Sequence, residues 1–84
     1  KSQLELNKTN RQLKDAENKV NLSKLALEQS QEAYRIRSNR FTQGLEKTTD
    51  LLQSETLMFQ KELEFLQAVF EYNFTQNYLH FLTK

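Results

Sequence analysis

The chain contains no cysteine and no proline, and a single glycine, Gly44. Without cysteine, neither a disulfide nor a thiolate–metal site can brace a chain this short, and a small single core buries little apolar surface. Proline and glycine are the two residues that interrupt helices, so their scarcity points to long uninterrupted ones. No apolar run reaches the ~18–20 residues that span a bilayer as a helix, so no direct membrane contact is expected of this segment. Histidine is almost missing as well. His80 stands alone, with no carboxylate three positions away to complete a metal-binding pair. There is no glycine-rich phosphate loop, nucleophile elbow or Cys/His cluster. These absences argue against an enzyme, a cofactor and a metal. The chain begins at Lys1 without a signal-peptide pattern, which reads as a piece of a longer protein.

Charge is present but unevenly placed. Residues 1–42 hold nine Lys/Arg against five Asp/Glu, whereas residues 43–84 hold three against six. A basic half suggests a nucleic acid or an anionic surface. Here an acidic half of equal length folds back beside it, and attraction between the halves explains the split without a nucleic-acid partner. Seven of the nine aromatic residues fall in the acidic half: Phe59, Phe65, Phe70, Tyr72, Phe74, Tyr78 and Phe81. A stacking platform for nucleic acid would interleave such rings with basic residues, so packing is the expected use.

The strongest pattern is a spacing of seven. Leu6, Leu13, Val20, Leu27, Tyr34 and Phe41 follow it in the first half, and Leu51, Met58, Phe65, Tyr72 and Leu79 in the second. Sustained apolar heptads predict coiled-coil packing, with helices over about 2–42 and 49–82 joined by a tip at about 43–48. The two series also fit each other. Phe41 with Leu51, Tyr34 with Met58, Leu27 with Phe65, Val20 with Tyr72 and Leu13 with Leu79 each have positions summing to 92. An antiparallel pairing demands such a constant, and it centres the bend near Glu46. Between these layers lie the small residues Ala16, Ser23, Ser30, Ser54, Ala68 and Thr75, which let helices approach closely. The fold class is all-α, an antiparallel two-helix coiled-coil hairpin.

Apolar residues also lie off the seam. Leu52, Phe59, Leu63, Leu66 and Phe70 form a second stripe on helix two, and Leu22, Ala26, Ala33 and Ile36 a weaker one on helix one. A hairpin buries one stripe per helix, so the others call for further helices, from the same chain or another copy. With helices ~55–60 Å long at ~1.5 Å per residue, the molecule is a slender rod suited to a wall or bundle. A copy on its own is expected to self-associate, as in a four-helix dimer.

At the bend, Gly44 suits the left-handed position past a helix end, preceded by Arg35, Arg37 and Arg40, which favour that end of the dipole. Thr48 or Thr49 can cap the second helix, and Asp50 then lies in its first turn. Glu46 with Asp50 is too ordinary a pairing to suggest acid–base chemistry. Leu45 has two readings: either Phe41 covers it, or it projects from the tip, where an apolar group implies a partner.

The run Arg40-Phe41-x-x-Gly44-Leu45, then Asp50-Leu51-Leu52 with Met58 beyond, resembles the second periplasmic hairpin of the TolC-like outer membrane factors. That hairpin typically reads Arg-Tyr-x-x-Gly, two residues, Ser or Thr, two residues, Asp-Leu/Val-Leu. The upstream LALEQSQEAYRIRSNRF and Tyr72 fit as well, and the likeness covers about residues 25 to 80. Phe41 stands where Tyr is common and Lys47 where Ser or Thr is usual. Ser54 replaces a small Ala, and Gln53 stands where some members have a second acidic residue. The resemblance implies a fragment of a trimeric α-helical barrel, the periplasmic portion of an outer membrane protein in a Gram-negative envelope. It implies that the tip (Gln43, Gly44, Leu45, Glu46, Lys47, Thr48) docks onto a periplasmic membrane-fusion adaptor for efflux or type I secretion. It also implies that Asp50 is a charge at the duct entrance. The heptads by themselves suit a structural coiled-coil spacer or oligomerisation module equally well. The adaptor's own hairpin is a third reading, which the bend fits less closely.

Overall fold

The computed structural model describes residues 3–83, and residue 2, the expected first residue of helix one, lies outside them. Two helices account for nearly all of it: α1, Gln3–Thr42, and α2, Thr48–Thr83. They lie side by side in a rod of 63 × 14 × 13 Å, as two helices of this length in a hairpin require. Within the described residues α1 ends at position 42, as expected, and α2 begins and ends within a residue of the expected 49–82. No helix among the described residues is long and apolar enough to cross a membrane.

The antiparallel register can be seen at two points along the rod. Leu13 and Leu79, a predicted pair, line one cleft at the open end together with Leu6 and His80. Midway along, Lys19 Nζ lies 3.5 Å from Glu71 Oε1, and Ser23 shares a groove with Ala68. On α2 a row of half-buried or buried positions steps by three and four from Leu51 through Ser54, Met58, Lys61, Phe65, Ala68, Tyr72, Thr75 and Leu79 to Leu82, with Asp50, Glu55 and Val69 half-buried beside it. That rhythm is the coiled-coil seam.

The seam's burial is not distributed as its chemistry suggests. Among the described residues the buried ones are all small: Thr9, Ala16, Ser30, Ser54 and Ala68. The larger seam residues Leu13, Val20, Leu27, Tyr34, Leu51, Met58, Phe65, Tyr72 and Leu79 are half-buried. With only two helices, a large side chain reaches past the contact line and keeps one flank in water, whereas a small one disappears between the backbones. Two of the buried hydroxyls turn to their own helix. Thr9 Oγ1 donates to Glu5 O at 3.0 Å and Ser30 Oγ to Leu27 O at 2.8 Å. Ser23 and Thr75, expected between the layers, are half-buried, and Thr9 joins the small residues unanticipated.

Two expectations need correction here. Phe41 was assigned to the last seam layer, yet it is 40% exposed. Near the bend the inward position shifts to Ser38, which is half-buried, and the helix-one side of that layer opens. Ala26 was placed on the outer stripe of α1, but it is half-buried, and Leu25 at 52% exposure occupies the outside instead.

Candidate interaction surface at the hairpin tip

The end of α1 is closed by a paired hydrogen-bond motif around Gly44, whose φ is +77°. The Gly44 amide donates to Phe41 O at 2.9 Å and the Leu45 amide to Arg40 O at 2.8 Å. These are the two bonds of a Schellman cap, which satisfies carbonyls left over at a helix C-terminus. The Gln43 amide reaches Asn39 O and Arg40 O at 3.2 and 3.1 Å, completing the last turn. Glycine is needed here for its backbone alone: a Cβ at Gly44 would meet nothing within 4 Å.

Helix two starts differently from the expectation. Leu51 N donates to Lys47 O at 3.1 Å, so Lys47 holds the capping position, and Thr48 and Thr49 already lie inside the first turn. The lysine side chain has no oxygen to accept a helix amide, so this start lacks the side-chain cap that Thr48 or Thr49 was expected to supply. Asp50 does sit in the first turn, half-buried, where a carboxylate favours the dipole.

Glu46 has a part in the tip that sequence reasoning missed. Its side chain is only 10% exposed, and its carboxylate is divided between two guanidiniums. Arg37 Nη1 donates to Oε1 at 3.1 Å and Arg40 Nε to Oε2 at 3.0 Å. The two arginines lie three residues apart on the final turns of α1, one face of the helix. Their place near the end of α1 predicts only a role as partners of the helix dipole. A glutamate just past the helix-ending glycine, with arginines at such spacing before it, is the signal that was available. Arg35 belongs elsewhere: its guanidinium pairs with Glu32, holding that carboxyl below its ordinary range by hydrogen bonding.

The predicted tip residues thus divide. Gln43, Gly44, Leu45, Lys47 and Thr48 are exposed, and Glu46 is tied back to α1. Leu45 is 61% exposed, so Phe41 does not cover it. Among the described residues, no group of three or more His, Cys, Asp or Glu is arranged to hold a metal ion.

A second surface runs along the outside of α2. Leu52, Phe59, Leu63, Leu66, Phe70, Phe74, Tyr78 and Phe81 are all between 43% and 77% exposed. They follow one another at three- and four-residue steps, with Thr56 filling the one gap. Of the seven aromatics in the acidic half, Phe65 and Tyr72 alone realise the expected packing inside the hairpin, where they are half-buried. On α1, Leu22 and Ile36 are exposed at 69% and 46%. The chain matches no family profile, no curated protein and no solved structure.

Proposed function

We propose that this hairpin is a periplasmic wall-and-tip element of a TolC-like outer membrane channel. In this reading it packs into a trimeric export duct and docks through its tip onto a periplasmic adaptor. The observation that carries the reading is Leu45. Its backbone is fixed by the Gly44 cap, in the sequence context that resembles the family's bend, and its side chain is left in water. An apolar group held at the end of a rod has no use to the hairpin itself. The outer stripe of α2 supports the wall, because a hairpin in a closed barrel must pack on both flanks. Asp50 is assigned to the entrance of the duct.

The test uses the full-length protein in cells. These 84 residues hold no cysteine, so once any cysteine elsewhere in the full-length protein is replaced, a cysteine introduced at Gln43 is a defined cross-linking handle towards the adaptor tip. Leu45→Asp should abolish both the cross-link and export while the trimer still forms. Normal export by this variant would remove the docking claim. For Asp50, the Asn variant should change the cation dependence of channel conductance, and an unaltered conductance would withdraw that assignment.

A structural coiled-coil spacer is favoured by one observation, the length of the exposed stripe on α2. In that case Leu45→Asp would be silent, and substitutions at Phe70 or Phe74 would carry the phenotype.

A further inference from the structure

Leu45 is held from two sides by one residue of α1. Its own amide is bonded to the carbonyl of Arg40, and the next residue, Glu46, is bonded to the guanidinium of Arg40. Arg37 adds a second guanidinium to the same carboxylate from one turn earlier. The backbone on both sides of Leu45 is therefore anchored to the helix it has just left. The carboxylate is nearly covered, while the arginines that cover it are half-exposed, at 46% and 53%.

The fold does not need this arrangement to end α1, since the Schellman bonds around Gly44 already do so. Nor does the clamp bury Leu45. What the three side chains add is a fixed direction for the two residues after the glycine, where a chain entering an uncapped helix would otherwise have several conformations. Binding through an ordered segment avoids the entropy cost of ordering it on contact. We infer that Glu46 is a positioning residue: clamped by Arg37 and Arg40, it preorganises the tip so that Leu45 is presented to the docking partner. This rests on the docking reading above and names the device that serves it. Under this inference Glu46 is not a contact residue of the docking surface, although it lies at the centre of the tip.

Three variants of the full-length protein test it, with amide exchange across residues 41–47 and adaptor cross-linking from position 43 as the two readouts. Glu46→Gln keeps the size of the side chain and removes its charge. Exchange at the Leu45 amide should quicken by about tenfold, with the middle of both helices unchanged, because the tip opens locally. Cross-linking should fall roughly fivefold as the presented conformation loses population. In the second variant Arg37→Glu, Arg40→Glu and Glu46→Arg are combined, so the clamp is rebuilt with its signs exchanged. Protection and cross-linking should both return towards the parent level. The third variant is Leu45→Asp, whose cross-linking should be lost with the clamp intact. Unchanged exchange in Glu46→Gln, or faster exchange with full cross-linking, would overturn the positioning role. Failure of the sign-exchanged clamp to restore either readout would overturn it too. If Leu45→Asp cross-links normally, the docking reading itself fails and takes this inference with it.

Discussion

The amide of Leu45 donates to the carbonyl of Arg40 across 2.8 Å, and the side chain of the same arginine holds Glu46 at 3.0 Å. One residue at the end of α1 thus secures the turn through its backbone and through its guanidinium. The Gly44 cap and the charged clamp are separate devices acting on the same three residues, and they respond differently to substitution.

Gly44 is the first place to see this. Its positive φ costs a residue with a Cβ about 1–2 kcal/mol, while the open space around it adds no clash. Asparagine tolerates that conformation better than alanine or valine do. Chemical unfolding followed by circular dichroism should rank the variants Asn, Ala, Val in increasing loss. Equal losses for Asn and Val would show that the left-handed backbone is not what the position demands.

The small residues of the seam should matter more than the large ones outside it. Ala68 is 3% exposed between the helices, and Ala68→Leu should cost about 1–3 kcal/mol by forcing the backbones apart. Leu66→Ala, at a position 58% exposed, should stay within about 0.5 kcal/mol in a chain that is not associated with others. The comparison is made by urea unfolding at low protein concentration. A reversed order would mean that the seam is not the contact described here.

Association is the next expectation. The row from Leu52 to Phe81 leaves large apolar side chains in water, so the 84-residue chain should self-associate in sedimentation at ~100 μM. Phe70→Glu with Phe74→Glu should shift it towards a monomer without loss of helix. A stable helical monomer of the parent chain at that concentration would contradict the expectation.

Acid has a small, defined effect at Glu32. The hydrogen bonds from Arg35 lower its carboxyl pKa in the folded chain relative to the unfolded one. Its contribution is therefore complete above the unfolded value and is lost as pH falls through the folded value. Both groups are exposed, so water and salt screen the pair and stability should change little. The shift itself is measurable: carbon-detected titration should place Glu32 below the ordinary glutamate value, and Arg35→Ala should return it towards that value. No movement on that substitution would exclude the pair as the cause.

The hairpin is legible in particular residues of the sequence. Heptads from Leu13 to Phe41 and from Leu51 to Leu79 set the helices, and their matched sums set the register that Leu13 and Leu79 display. Local chemistry also placed Gly44 past the end of α1, because only glycine takes that backbone without cost. Period and conformational preference are properties of neighbouring residues, and these a sequence carries in full. Burial and pairing are not. That Ala16 and Ala68 sink between the helices while Leu27 and Phe65 stay half in water depends on how near two backbones come. That Phe41 opens outward, that Lys47 takes the cap from the threonines, and that Glu46 closes between Arg37 and Arg40 depends on the path of a five-residue turn. Such distances arise only when separate segments are brought together, and so the tertiary structure alone decided them.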